Sequence, residues 1–214
     1  MKQQRDHRLQ GLYAITDEHL IPEAVFASRV EAALAGGARI IQYRDKSTNR
    51  QKRLQQAQQL RRLCSDYHAL CIINDDIELA GAVDADGVHL GRDDHSPEHA
   101  RERLGEKAII GISCYDRLEL ALAAENNGAD YVAFGAMFSS TTKPEACLAG
   151  TAIIRQARQQ LQLPVCAIGG ITAENIREPL REGADMVAVI GGVFAGNNVK
   201  NKALVLSRHF QPPI

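Results

Sequence analysis

The sequence has no tryptophan and few aromatic residues, which make up 5% of its 214 residues. Its cysteines are five, an odd number with no CxxC pair, which argues against a disulfide framework or a zinc site and fits a reducing cytoplasm. No window approaches the roughly 20 consecutive apolar residues that a membrane span requires. The 25 basic and 26 acidic residues nearly cancel, so no global field draws the chain to nucleic acid or to an anionic membrane. Any recognition of phosphate must therefore be local.

What the sequence does contain is enough apolar material for one full core. Hydrophobic residues make up 45% of the chain, whose length suits a single domain better than two. No linker or low-complexity tract divides it, so we expect one domain over residues 1–214. Residues 1–10 are polar and lack the apolar segment of a secretory signal, and we expect them to form a polar N-terminal extension.

One pattern recurs four times: a helix-like stretch, a Gly-Ala or Ala-Asp junction, and a short apolar run. The junctions begin at Gly37, Ala85, Gly128 and Gly183. We expect glycine to cap the helix in the left-handed conformation and the run that follows to form a buried parallel strand. Four further apolar runs lack the junction and occupy residues 12–16, 70–74, 109–113 and 164–168.

The eight apolar runs start about 25 residues apart, the length of one strand, one helix and their loops. Two stretches that lie between apolar runs, residues 50–67 and 118–127, show helical periodicity. Helix starts are expected at Pro22, Pro97 and Thr172. An open doubly wound sheet also alternates in this way, but its dinucleotide-binding forms have a glycine-rich turn after the first strand. Here that strand ends Thr16-Asp17 without such a turn. The sequence therefore predicts an α/β fold, a single (β/α)8 TIM barrel.

Groups suited to phosphate chemistry follow seven of the eight predicted strands, at the ends that form the active-site face of such a barrel. Arg44, Lys46 and Lys143 can neutralise phosphate oxygens. Asp75 and Asp94 follow adjacent strands and can share Mg²⁺, which favours one or two carboxylates plus substrate phosphates.

The glycine pairs Gly169-Gly170 and Gly191-Gly192 follow the seventh and eighth strands, where barrels commonly bind phosphate. Two anion sites are therefore predicted: a metal-bound pyrophosphate toward strands two to four, and a metal-free monophosphate toward strands seven and eight. Each motif also has a purely structural interpretation. Asp76 can cap a helix, a glycine pair can form a tight turn, and His89 can be a hydrogen-bonded core residue.

Taken together, these motifs resemble the signature of the thiamine-phosphate synthase family. They occur in the family's order over residues 11–194 and are Gln42-Tyr43-Arg44-Asp45-Lys46, Asn74-Asp75-Asp76, His89-Leu90-Gly91-Arg92-Asp93-Asp94, Thr142-Lys143 and Ala167-Ile168-Gly169-Gly170-Ile171. The resemblance implies a transferase that joins a hydroxymethylpyrimidine pyrophosphate to a thiazole phosphate, or its carboxylated form, with release of pyrophosphate.

The resemblance also implies roles for individual residues. Asp75 and Asp94 would hold Mg²⁺, while the cations Arg44, Lys46 and Lys143 would neutralise the leaving group. The pyrimidine pyrophosphate would be contacted by Gln42, Arg44, Lys46, Asn74, Ser113 and Lys143. The thiazole-phosphate side would be lined by Ser140, Thr141, Thr142, Gly170, Ile190 and Gly191. The loop 137–150 would close over both substrates.

Three positions depart from the family's pattern: Ser139-Ser140 replaces Pro-Thr, Gly191 replaces a common serine, and Arg92 replaces the usual glutamine. Three alternatives stand beside the synthase: a thiazole tautomerase relative, another phosphate-binding barrel isomerase or aldolase, and a catalytically silent protein that binds thiamine precursors. The complete set of charged residues argues against the tautomerase, and neither rim lysine lies within a strand as an aldolase would require. The silent binder remains open. Family members often self-associate, so a homo-oligomer also remains open.

Overall fold

The computed structural model describes residues 6–139 and 148–210. Eight parallel strands follow one another in chain order, and the pairing of the last with the first closes the barrel. The strands are β1 (Gly11–Ile15), β2 (Ile40–Tyr43), β3 (Leu70–Asn74), β4 (Gly87–Leu90), β5 (Ile109–Tyr115), β6 (Tyr131–Phe134), β7 (Val165–Ile168) and β8 (Met186–Val189). The predicted single (β/α)8 barrel is confirmed.

Helices alternate with the strands and cover the outside of the barrel. They are α1 (Phe26–Ala35), α2 (Arg50–Asp66), α3 (Ile77–Ala82), α4 (Pro97–Leu104), α5 (Leu118–Asn126), α6 (Ala152–Gln160), α7 (Arg177–Arg181), α8 (Gly191–Phe194) and α9 (Val199–Ser207). Pro97 begins α4 as predicted, and Pro22 precedes the 3-10 turn Glu23–Val25. In the described ranges, no helix is long and apolar enough to cross a membrane.

The helix start predicted at Thr172 is wrong, because α7 begins five residues later at Arg177. The backbone N–H of Thr172 donates to Asn175 Oδ1 at 2.8 Å, and the side chain of Asn175 donates back to the Gly170 carbonyl at 2.9 Å. A polar turn therefore occupies this stretch, since the asparagine side chain satisfies the backbone locally.

Strand residues alternate between two apolar cores, as expected for a barrel covered by helices. The outward-facing side chains pack under the helices. The inward-facing set fills the lower part of the barrel and includes Ile40, Leu70, Ile109 and Met186. Leu9, within the stretch that the sequence marks as polar, is 2% exposed and joins this inner set. The base of the barrel is therefore closed by apolar packing, and polar inward positions remain at the opposite end.

At the three junctions that begin with glycine, the glycine is left-handed as predicted: Gly37, Gly128 and Gly183 have φ of 95°, 82° and 101°. The fourth junction is different, because Asp84 takes the left-handed position at φ 52° and Gly87 lies within β4. A Cβ on Gly87 would lie 1.8 Å from the carbonyl oxygen of Ile109. This glycine is therefore required for the close approach of two strands and does not cap a helix.

The aspartates of the Ala-Asp junctions connect strands to helices. Each accepts a hydrogen bond from a backbone N–H of the strand before it, and each faces an arginine of an even-numbered helix. The aspartates Asp86, Asp130 and Asp185 accept from Cys71, Ile110 and Val165 at 2.8, 2.7 and 2.8 Å. Their arginines are Arg61, Arg101 and Arg158, at 3.9, 2.8 and 3.2 Å. The repeated aspartate therefore has a structural role below the barrel, far from the mouth.

The cysteines serve as small apolar core residues in the part of the chain that the structure covers. Cys64, Cys71, Cys114 and Cys166 are free and buried. Cys147 lies outside the described residues.

We expect Asp130→Ala to lower the free energy of unfolding by about 2–3 kcal/mol, because it leaves the Ile110 N–H unsatisfied and Arg101 without its carboxylate. Urea unfolding followed by circular dichroism measures the loss. Glu119→Ala is the control, since the Glu119 side chain is exposed and its ion pair with Arg117 contributes little, so no measurable change in stability is expected. Equal effects from the two variants would contradict a structural role for the junction aspartate.

Candidate active site

Arg44, just after β2, is held in place by the end of β1. Thr16 Oγ1 accepts from the Arg44 backbone N–H at 2.9 Å and donates to the Arg44 carbonyl at 3.2 Å. The Arg44 guanidinium donates to Asp17 Oδ2 at 3.2 Å. Asp17 is only 6% exposed, so its carboxylate is a fixed partner. In the sequence, Thr16-Asp17 is distinguished only by the lack of a glycine-rich turn, and this role was not predicted.

Lys46, Asn74 and Asp75 form a polar cluster between the ends of β2 and β3. The Lys46 ammonium pairs with Asp75 Oδ2, and the Asn74 amide donates to the same oxygen at 2.6 Å. Asp45 lies between Arg44 and Lys46 in the sequence, but its carboxylate pairs with Lys52 at 2.7 Å. The structure therefore brings together three of the predicted site residues.

Asp94, after β4, lies beside Asp75, and its carboxylate accepts from the Gly91 N–H at 2.7 Å. Burial and the neighbouring Asp75 carboxyl group raise the pKa of Asp94 above its usual value, against the lowering effect of the Gly91 N–H. Two carboxylates this close repel each other unless a proton or a cation lies between them. Among residues 6–139 and 148–210, no group of three or more His, Cys, Asp or Glu is arranged to hold a metal. Asp75 and Asp94 are thus a pair of neighbouring carboxylates at the mouth.

Two backbone positions at the mouth are left-handed without being glycine: Asp75 at φ 62° and Tyr115 at φ 54°. For a bulky residue such as tyrosine this conformation is uncommon and costs about 1–2 kcal/mol. Tyr115 supports the Arg92 guanidinium, whose central carbon is 4.9 Å from the ring centroid. Arg92, one of the three departures from the family's pattern, is therefore held against an aromatic face at the rim.

The inner wall of the barrel near the mouth is polar. Gln42 donates to the Tyr13 hydroxyl at 2.7 Å. His89 contacts the Tyr131 hydroxyl through Nδ1 and Ser113 Oγ through Nε2, both at 2.9 Å. Burial lowers the pKa of His89 to about 4, so the imidazole is neutral at neutral pH. His89 is a hydrogen-bonded core residue, as one of the two sequence interpretations held, while the roles of both tyrosines were missed.

On the opposite side of the mouth, the turn after β7 requires glycine. Gly170 has φ 64°, and a Cβ there would lie 2.5 Å from the carbonyl oxygens of both Phe138 and Ser139. After β8, Ile190 precedes α8, which Gly191 begins. A Cβ on Gly192 would lie 3.0 Å from the carbonyl oxygen of Ile171, so the two glycine turns are adjacent.

The loop 137–150 begins and ends beside these turns. Met137 and Phe138 donate backbone hydrogen bonds to Ile168 and Gly169 at 2.9 and 3.0 Å, and Ala149 donates to Ala136 at 2.8 Å. Both ends of the loop are thereby fixed at the mouth. Four predicted site residues lie outside the described residues: Ser140, Thr141, Thr142 and Lys143.

The mouth of this barrel combines fixed cations, a carboxylate pair and close glycine turns, which defines the class of phosphate-handling (β/α)8-barrel enzymes. A family model described as thiamine monophosphate synthase matches residues 12–193, most of the chain. The chain therefore belongs to the thiamine monophosphate synthase family, as its motifs predicted.

Individual relatives agree with this assignment. The chain is 52% identical over 202 residues to a thiamine-phosphate synthase of Nitrosococcus oceani, which covers 94% of this chain and 93% of the relative. It is 50% identical over 206 residues to that of Thioalkalivibrio sulfidiphilus, covering 95% of this chain and 97% of the relative. Among solved structures, a thiamine phosphate pyrophosphorylase from Pyrococcus furiosus superposes with a TM-score of 0.86 at 39% identity, covering 95% of this chain and 96% of that one.

We expect Gly170→Ala to destabilise the protein by at least about 2 kcal/mol, since it adds left-handed strain to an overlap with two carbonyl oxygens. Gly191→Ala is the matched control on the neighbouring turn, because the nearest atom to its added Cβ is 4.0 Å away. Thermal unfolding monitored by circular dichroism compares the two. A Gly170→Ala protein as stable as Gly191→Ala would contradict the close contact at this turn.

Proposed function

We propose that the protein is a thiamine-phosphate synthase that transfers the methylpyrimidine group of 4-amino-2-methyl-5-hydroxymethylpyrimidine pyrophosphate to thiazole phosphate, plain or carboxylated, and releases pyrophosphate. The observation that carries the proposal is the juxtaposition of Asp75 and Asp94 beside Lys46 at one mouth. Family membership supports the same activity. The groups suit a pyrophosphate leaving group, because the two carboxylates could hold a cation and Lys46 adds a positive charge beside them.

The carboxylate pair fits Mg²⁺. This ion prefers hard oxygen ligands and a coordination completed by substrate phosphates. The two neighbouring carboxylates would supply the protein's share of those oxygen ligands. When bound, Mg²⁺ would neutralise charge on the pyrophosphate. Asp75 and Asp94 would hold it, and the Lys46 ammonium, now paired with Asp75, would then be available to the phosphate oxygens.

The chain's own groups act by position and charge. Arg44, fixed by Asp17, presents a planar fork to phosphate oxygens, and Lys46 and Lys143 add charge as the C–O bond breaks. We propose a dissociative substitution in which the thiazole nitrogen attacks a pyrimidine methylene cation, so no protein nucleophile is needed. Gln42, Asn74 and Ser113 would orient the pyrimidine pyrophosphate. Closure of the loop 137–150 would exclude water that would otherwise trap the cation.

The thiazole phosphate would bind on the side formed by the turns after β7 and β8. Gly170, Ile190 and Gly191 would bring backbone close to the phosphate, which the barrel fold commonly binds after its last two strands. Ser140, Thr141 and Thr142 would line the same side. Because Gly191 lacks the hydroxyl common in the family, its contribution would come from the backbone alone.

The proposal is tested by incubating purified protein with both substrates and Mg²⁺ and following thiamine phosphate by its oxidised fluorescence. Product is expected from the native protein. Absence of product with both substrates still bound would favour the catalytically silent binder. If neither substrate binds, the phosphate-site assignment itself is wrong.

Removal of the metal or of one ligand is expected to abolish most of the activity. EDTA should stop product formation, and Asp75→Ala or Asp94→Asn should lower kcat/KM by at least about 100-fold, because charge on the leaving group is no longer neutralised. Asp93→Asn in the same turn removes a carboxylate that we do not place in the site and should retain activity. Full activity of Asp94→Asn in EDTA would refute the metal's role.

Asp17→Asn is expected to raise KM for the pyrimidine pyrophosphate by roughly 10-fold, since the Arg44 guanidinium loses the charge that orients it. Steady-state kinetics at saturating thiazole phosphate measures the change. KM for the thiazole phosphate, bound on the other side of the mouth, should be unaffected. A variant that changes both KM values equally would show that Asp17 acts on the whole barrel.

A further inference from the structure

A continuous chain of hydrogen bonds crosses the inside of the barrel and links five strands. Gln42 Nε2 donates to the Tyr13 hydroxyl at 2.7 Å, and that oxygen is 2.9 Å from the Tyr131 hydroxyl. The Tyr131 hydroxyl is 2.9 Å from His89 Nδ1, and His89 Nε2 is 2.9 Å from Ser113 Oγ. The two ends of the chain, Gln42 and Ser113, are the groups that we place against the pyrimidine substrate.

The middle of this chain is built into the packing of the barrel. Tyr13 and Tyr131 are 1% and 0% exposed, and the His89 ring stacks on Tyr131 with centroids 5.5 Å apart. Gly111, on β5, makes room for the Tyr131 ring, because a Cβ at position 111 would lie 2.0 Å from it. A strand glycine is destabilising in itself. Its presence here is explained by the need to admit this phenol.

The donor and the acceptor in each of these hydrogen bonds follow from the number of protons available. Tyr13 accepts from Gln42, so its own single proton goes to Tyr131, since a buried hydroxyl proton without an acceptor is costly. Tyr131 in turn donates to His89 Nδ1. The neutral imidazole therefore carries its proton on Nε2 and donates it to Ser113 Oγ, which leaves the hydroxyl proton of Ser113 for a ligand.

We propose that this chain sets the amide orientation of Gln42, the tautomer of His89 and the donor role of Ser113 as one unit. Reversal would require every group to reorient together. The inference rests on the proposed function for the identity of the ligand. Tyr13, Tyr131 and His89 are positioning residues, because they reach the substrate only through Gln42 and Ser113.

A fixed pattern of donors and acceptors distinguishes between pyrimidines. An aminopyrimidine has an N–H donor beside a ring-nitrogen acceptor, whereas the analogue with a carbonyl in place of the amino group has an acceptor beside an N–H donor. Gln42 presents its amide oxygen and one remaining N–H, and Ser113 presents a donor. A site that cannot reorient leaves buried polar groups unpaired with the carbonyl analogue, which is how hydrogen-bonding sites achieve large discrimination.

The tautomer of His89 is tested first, in substrate-free protein with isotope-labelled histidine nitrogens, by NMR. The His89→Asn variant identifies the His89 signals. We expect an unprotonated Nδ1 and a protonated Nε2 in the native protein and in Tyr13→Phe, where Tyr131 still donates to His89. In Tyr131→Phe, Nδ1 loses its donor and a mixture of tautomers is expected. A protonated Nδ1 in the native protein, or an unchanged tautomer in Tyr131→Phe, would overturn the proposal.

Substrate discrimination is tested next, as the ratio of kcat/KM for the aminopyrimidine pyrophosphate to that for its carbonyl analogue. Tyr131→Phe keeps the ring that fills the space above Gly111, and we expect it to lower the ratio roughly 10-fold or more. Tyr43→Phe is the matched control: Tyr43 is 2% exposed and donates to Gln56 at 3.0 Å, but on the outer face of the barrel. Its ratio should stay at the native value.

An unchanged ratio in Tyr131→Phe would refute the proposal. Should that variant fail to fold, Tyr13→Phe provides the same kinetic test, since it frees the Gln42 amide to rotate. Failure of the proposed function is recognised separately. Native protein that makes no thiamine phosphate refutes the function, whereas the NMR measurement needs no substrate and still decides whether the chain fixes His89.

Discussion

Closure of the parallel sheet is the constraint on which the rest of the structure depends. Pairing of β8 with β1 removes both sheet edges. Because every neighbouring pair of strands is parallel, the carboxyl ends of all eight strands form one ring. Residues far apart in the chain become neighbours there. Arg44 meets Asp17, and Asp75 meets Asp94, only because adjacent strands end at the same level.

The two ends of the barrel contain different kinds of interaction. The base is closed by apolar side chains, including Leu9, and by junction aspartates that each tie a strand N–H to a helix arginine. These interactions satisfy backbone groups and stabilise the fold. The mouth instead holds close carboxylates and left-handed backbone at Asp75 and Tyr115, which are costly in isolation. Stability is thus concentrated at one end and chemistry at the other.

The charges at the mouth are already ordered. Lys46 and Arg44 are paired with Asp75 and Asp17, so they are held near the positions where an anionic substrate would need them. Such pairing reduces the reorganisation that accompanies binding. Deeper in the barrel, the hydrogen-bonded groups from Gln42 to Ser113 are uncharged, and they determine which atoms donate and which accept. In the function that we propose, a charged pyrophosphate and a neutral ring would therefore meet different environments within one barrel.

Most of the architecture could be predicted from sequence, because the pattern that determines it is local. Alternating apolar runs and amphipathic stretches fix strand and helix order, and the boundaries of α2 and α5 differ from prediction by one residue each. Errors arose where a local signal had two meanings. At the Ala85-Asp86 junction, Asp84 takes the left-handed position that glycine takes at the other three junctions, and Gly87 serves strand packing. Thr172 looked like a helix start but lies in a turn braced by Asn175.

The sequence by itself determined the fold class, the family and which residue types follow which strands. Motifs and periodicity are properties of neighbouring residues, so they can be recognised in the sequence alone. Only the tertiary structure decided the partners. Asp17 fixes Arg44, Asp45 pairs with Lys52, and two buried tyrosines connect Gln42 to His89. Each of these interactions depends on contacts between separate strands and helices. Barrel closure and side-chain packing set those distances, and no local pattern records them.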